Sequence, residues 1–206
     1  AIGYDSLNAA SASAVVSSNV AIGHSALKAD TTGANNIAIG RDALYANTTA
    51  SNNTAVGHNA LASNTTATSN TGIGKGALYS CTTGAGNTAV GFNSLTTYTT
   101  GANSTAVGYN ALGSSGAGAD NTAVGSEALS GVTGGGTNTA VGQLAGDQIT
   151  TGYGNVCIGY DSGSDALTTI TTSANTIVLG NNNAGTAEIK VDWTVGSDVR
   201  DKTDIE

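Results

Sequence analysis

Aliphatic residues return along this chain at a fixed stride. The phrase N-[TIV]-A-[IV]-G recurs throughout, and its closing glycines are Gly3, Gly23, Gly40, Gly57, Gly74, Gly91, Gly108, Gly125, Gly142, Gly159 and Gly180. The steps between them are 20, then eight of 17, then 21. Eight equal steps do not arise from composition bias, even with 30 Gly in 206 residues, and such a period marks a solenoid or array.

With each glycine as position 0, position −1 is Ile, Val or Leu, and position −4 is Asn in most units, from Asn19 to Asn155. Position +4 is Leu from Leu7 to Leu129, and position +3 is Ala or Ser through Ser162. The phrase has strand composition and alternates with period 2, so positions −3 and −1 share one face and the Ala at −2 takes the other. The expectation is that the aliphatic face is buried and the Ala face is closely approached from outside. The segment ending in Leu at +4 reads as a second short strand. About eight residues of turn chemistry follow, such as KADTTGAN and YANTTASN.

A helical repeat fails, because Gly, Asn, Thr and β-branched residues dominate each unit. The chain is therefore expected to be all-β: a parallel β-solenoid of about ten 17-residue coils, stacked at about 4.8 Å into a rod on the order of 50 Å long. Residues 1–165 form the repeat, 166–196 a terminal coil with transition strands, and 197–206 a separate tail. Leu at +4 gives way to Gly146 and Gly163, so the rod is expected to narrow or change form before residue 175. Each coil offers only a thin core. The tiny Ala face suggests a remedy, three copies packed with that face toward a threefold axis. The Asn row reads as a structural ladder of stacked amides.

Composition narrows the function. Charged residues make up 10% of the chain and aromatics 4%, with no Pro and no Met. The missing Met suggests a segment of a longer protein or a processed product. No apolar run approaches the roughly 20 residues of a membrane span, and no signal-peptide pattern opens the chain. Net charge is −8, and the repeat body carries only Lys28, Arg41 and Lys75 as cations, too sparse for a nucleic-acid-tracking stripe. Cys81 and Cys157 stand 76 residues apart in different repeat positions and read as free thiols.

No catalytic constellation appears in the repeat, and neither a cofactor nor a metal is expected. His24 and His58 share position +1 two coils apart, about 10 Å, too far for a shared ion, and zinc would need Cys or carboxylate companions. Position +1 is nevertheless the most variable row, including Tyr4, Arg41, Lys75, Phe92, Tyr109 and Tyr160. Its variety marks it as outward-facing. Tyr4, Phe92, Tyr109 and Tyr160 are the candidate binding residues, a ladder suited to a host-surface glycan. Tyr45, Tyr79 and Tyr98 fall in turn segments and are expected to project from coil edges. Thr-Thr pairs such as Thr48-Thr49 raise an ice-binding alternative, but adjacent strand residues point to opposite faces.

The phrase N-[TSV]-A-[IV]-G followed by Ala/Ser-Leu resembles the head repeats of trimeric autotransporter adhesins. That resemblance covers roughly residues 1–165 and implies a homotrimeric, left-handed parallel β-roll. The tail Ser197-Asp198-Val199-Arg200-Asp201-Lys202-Thr203-Asp204-Ile205 is similar to the opening of the intramolecular chaperone that ends phage tail fibres and endosialidase tailspikes, approximately S-D-x-R-L-K-x-D-I. It departs at Asp201, where Leu is usual. Together the two resemblances imply a rigid, structural segment of a trimeric phage tail fibre, extracellular on the virion, joined to other fibre or baseplate segments and serving host attachment. The alternative is a surface adhesin that recognises cell-surface polysaccharide. The chaperone resemblance further implies one catalytic event, a single-turnover cleavage before Ser197. Ser197 would be the nucleophile and Lys202 its base, given a complete downstream domain.

Overall fold

A computed structural model describes residues 1–9, 18–114, 116, 118–164 and 170–181. The architecture is an all-β parallel solenoid. Each coil contributes one three-residue strand: β1 (Val20–Ile22), β2 (Ile37–Ile39), β3 (Thr54–Val56), β4 (Thr71–Ile73), β5 (Thr88–Val90), β6 (Thr105–Val107), β7 (Thr122–Val124), β8 (Thr139–Val141), β9 (Val156–Ile158) and β10 (Ile177–Leu179). They form a single ten-stranded sheet in chain order, every pair parallel. The register carries each residue onto its counterpart one repeat later, as in Ala89↔Ala106 and Ala106↔Ala123. The structure bears out the repeat and the solenoid.

The faces are the reverse of the expectation. Ala at −2 lies inside each coil, fully buried at Ala38, Ala55, Ala89, Ala106, Ala123 and Ala140, whereas Ile and Val at −1 stand outside at close to 40% exposure. The inversion has a steric cause. Leu at +4 enters the interior from the return segment and is fully buried from Leu27 to Leu129. At Gly72, which takes the place of Ala in one coil, an added Cβ would meet Leu61 at 3.4 Å and the Ala77 carbonyl at 3.2 Å. The two segments lie so near each other that nothing larger than a methyl fits opposite Leu, so the β-branched residues go outward.

Among the described residues the expected second strand is absent. Residues +1 to +6 form a turn in which the +2 and +4 backbones are left-handed, for example Asn59 at φ 58° and Leu61 at φ 52°. Leucine in that region is strained by about 1–2 kcal/mol, and complete burial of its side chain contributes about 1.5–3 kcal/mol in return. A third left-handed residue at −5, usually Asn or Gly, turns the chain back into the strand. Glycine at position 0 is obligatory: φ is 138° at Gly108, and a Cβ there would sit 2.4 Å from the carbonyl oxygen of Gly125 in the next coil.

The same left-handed position explains the loss of Leu late in the chain. Gly146 and Gly163 occupy it at φ 62° and 80°, where glycine is unstrained. The vacated volume is filled from elsewhere. A Cβ on Gly146 would lie 3.1 Å from Ile149 Cδ1, and one on Gly163 would lie 2.9 Å from Cys157 Sγ and 3.5 Å from Ile170 Cδ1. The sheet continues without a break, since Val156 pairs with Ile177 and Ile158 with Leu179.

The Asn row at −4 is a ladder built differently from stacked amides. Each Oδ1 accepts the backbone N–H of the next coil's −4 residue, as from Asn70 to Asn53 at 2.9 Å. Each Nδ2 donates to a carbonyl 14 residues onward, as Asn53 does to Ala67 at 2.9 Å, except that Asn155 reaches Ser173, 18 residues on. One buried amide thereby satisfies two backbone groups that the turn leaves without strand partners. Within this row, among the described residues, direct amide-to-amide bonds join only Asn121, Asn138 and Asn155.

Candidate functional site

The structure assigns an inside and an outside to each column of the repeat. Row +1 faces solvent, as its variety implied, and places Tyr4, Phe92, Tyr109 and Tyr160 on one edge of the rod with exposures between 41% and 73%. Because the coils are in register, side chains of successive coils stack. Phe92 and Tyr109 lie parallel with ring centroids 5.6 Å apart and planes 5° from coplanar, and Lys75 Nζ sits 5.4 Å from the Phe92 centroid. Tyr4 stacks on His24 at 5.5 Å. Tyr160 stands three coils beyond Tyr109, with Ser126 and Gln143 between, so it is not part of that stack.

The turn tyrosines divide. Tyr45 and Tyr79, both at position +5, project outward at just over 40% exposure, as expected. Tyr98, at position +7, does not: it is fully buried. Position +7 points into the end of the coil, where neighbouring coils carry Asp30, Asn47, Asn64, Cys81, Val132 and Ile149, all buried. Tyr98 can enter because Gly101 leaves it room; a Cβ there would lie 2.1 Å from the ring. The ring carries its hydroxyl to Ser104 Oγ at 2.8 Å and to the carbonyl of Gly118. The clue in the sequence was Ser104, the single break in the Asn row between Asn19 and Asn155, six residues after an unmatched Tyr.

Asp30 is the one buried carboxyl among the described residues. Its oxygens accept from Gly33 N at 3.1 Å, Asn47 Nδ2 at 2.9 Å and Asn19 Nδ2 at 2.9 Å. Burial raises its pKa above the ordinary carboxylate value, and these three donors only partly oppose the rise. Cys81 and Cys157 are free, as expected; both are buried, and burial pushes their thiols up to about 11. No group of three or more His, Cys, Asp or Glu able to hold a metal occurs among the described residues.

The first Thr of each Thr-Thr pair turns its hydroxyl onto the next coil's backbone, as Thr65 Oγ1 does to the Thr82 carbonyl at 3.3 Å. The second, such as Thr66 or Thr83, faces solvent. Ser197 and Lys202, the candidate self-cleavage pair, lie outside the described residues.

A groove of about 540 Å³ opens on the return segment, bounded by Tyr45 and Tyr79 and floored in part by Ala62. Asp42, Asn59, Ser63, His24 and Lys28 contribute polar groups to its walls. No helix among the described residues is long and apolar enough to cross a membrane. Comparison with protein-family models, with curated proteins and with solved structures gives no match, so the geometry of these columns carries the functional reading.

Proposed function

We propose that the chain is a rigid rod segment of a trimeric viral tail fibre, displayed outside the cell and serving host attachment. The observation that carries this reading is the outer face of the sheet. Ile22, Ile39, Ile73, Val107, Val124, Val141 and Ile158 form one aliphatic column along it, each 37–44% exposed. Beside them the −3 column runs from Val20 and Ile37 through six threonines to Val156 and Ile177. With Val56 and Val90 half-buried in the two remaining layers, the first column is one aliphatic per 4.8 Å layer over about 38 Å, a longer apolar line than a lone soluble protein keeps in water. A narrow, straight stripe suits a threefold axis, where three chains meet with three side chains per layer. The adhesin-like repeats and the chaperone-like tail agree with a fibre.

The test is sedimentation of the chain and of the double variant Val107→Asp, Val124→Asp. The expected result is a trimer for the parent and a monomer with unchanged circular dichroism for the variant. A parent chain that sediments as a monomer overturns the reading. Processing before Ser197 belongs to the same proposal. The chain expressed with its downstream region should lose the tail, and Ser197→Ala should retain it.

A second reading, recognition of cell-surface polysaccharide along row +1, draws on the continuous Lys75–Phe92–Tyr109 stack. Substituting Phe92, Tyr109 and Tyr160 together should then abolish adsorption to host cells while leaving the rod assembled.

A further inference from the structure

The tyrosines at position +5 are spaced in a way the other aromatic pairs are not. Where aromatics fall in adjacent coils they stack face to face, as Phe92 does on Tyr109. Tyr45 and Tyr79 lie two coils apart, and the residue between them in the column is Ala62. The in-register stacking that joins Phe92 to Tyr109 therefore leaves one layer empty here, a slot with a tyrosine on either side and a methyl group at its base.

Two coils span about 10 Å, and van der Waals contact on both sides of a ligand takes up roughly 7–8 Å of it. A planar ring would be loose in that space, whereas a puckered, saturated six-membered ring fills it. The walls carry the matching polar chemistry. Asn59 is half-buried beside the slot, and its side-chain amide has no partner among the described residues. Asp42 gives one oxygen to Arg41 at 3.0 Å and leaves the other free. A carboxylate and an amide side by side are an acceptor and a donor for vicinal hydroxyls. Lys28 at the rim is occupied by Asp5 at 3.2 Å, so the slot offers no unpaired cation for an acidic ligand.

We infer that the Tyr45–Ala62–Tyr79 slot is a binding site for one neutral pyranose unit of a polysaccharide. The rings hold its two apolar faces, and Asp42 and Asn59 hold its hydroxyls. The slot belongs to a single chain and lies on the return segment, across the core from the strand face. It stands whether or not the chain trimerises, and it is distinct from the row +1 stack.

Saturation-transfer NMR on the full chain with maltohexaose, mannohexaose and chitohexaose tests this. The expected result is transfer to the ring protons of at least one of these sugars. Ala62→Tyr should weaken it roughly tenfold by filling the slot, and Phe92→Ser with Tyr109→Ser should leave it within about twofold. Ala62→Tyr is compatible with the fold, since the same column already carries Tyr in two coils. Tyr79→Ala removes one wall and should cost binding by a second route. No transfer from any of the sugars overturns the assignment. So does transfer that survives both slot variants, or transfer that the row +1 substitutions remove.

Discussion

The hydroxyls of Tyr98 and Ser104 meet at 2.8 Å and together replace one missing amide. In other coils the −4 Asn both accepts the next −4 N–H and donates to a carbonyl 14 residues on. Here Ser104 Oγ does the accepting, from Asn121 N at 3.1 Å, and Tyr98 does the donating, to Gly118. Ser104→Asn would therefore drive an amide into space the tyrosine already fills. It should cost about 1–3 kcal/mol in urea unfolding, the range for an overfilled core. Adding Tyr98→Asn restores the arrangement of the earlier coils and should recover most of that loss. Additive penalties would show that the two residues do not work as a pair.

Two glycine substitutions should behave oppositely. Gly108→Ala places a Cβ 2.4 Å from a neighbouring carbonyl at a left-handed φ, and a loss on the order of 4 kcal/mol or more is expected. Gly72→Ala instead restores the residue that most other coils carry, at a backbone conformation open to any residue. The methyl lies 3.2 Å from the Ala77 carbonyl and 3.4 Å from Leu61, so these must yield by a few tenths of an ångström; with that shift, a gain of about 0.4–1 kcal/mol is expected from the less flexible unfolded chain. Thermal melting of the two variants beside the parent checks both signs.

Asp30 makes stability depend on pH in a definite direction. Its pKa is raised on folding, so the folded state holds its proton more tightly than the unfolded chain. The contribution is present below the ordinary carboxylate pKa and is lost as pH rises through the raised one. Asp30→Asn, the residue found at Asn47 and Asn64 in the next two coils, should abolish that slope and raise the melting temperature at neutral pH. A melting curve that keeps the same pH dependence in the variant would rule Asp30 out as its source.

The thiols of Cys81 and Cys157, at about 11, stay protonated at pH 8 and are shielded by the coil walls. A disulfide-exchange reagent should label neither cysteine in the folded rod and both after denaturation. Labelling of native Cys81 would mean that the coil end opens, and labelling of native Cys157 that strand β9 leaves the sheet.

The period, the strand phrase and the solenoid were all legible, because the glycines record one backbone geometry coil after coil. The faces were misread because apolar was equated with inside. Thr54, Thr71, Thr88, Thr105, Thr122 and Thr139 held the warning, since an inward −3 position would have buried six hydroxyls in a core with no partners for them. Leu at +4 looked like a strand residue because strain in a left-handed backbone leaves no mark on side-chain type. The outward placement of row +1 was readable from its variety. The slot was not, because it depends on Ala62 being small between two tyrosines, a relation visible only once the columns are aligned.

The repeat-to-repeat register has a consequence for how such a molecule changes in size. Each coil meets the next through the same contacts, so a whole unit can be gained or lost between two others without altering either junction. Length thus becomes a digital quantity, adjustable in increments of about 4.8 Å. Surface columns are carried along with it: a duplication that includes Ala62 would copy the floor of the slot, and one that includes Phe92 would extend the aromatic stack by a layer. Reach and surface chemistry in this fold are set by the same genetic event.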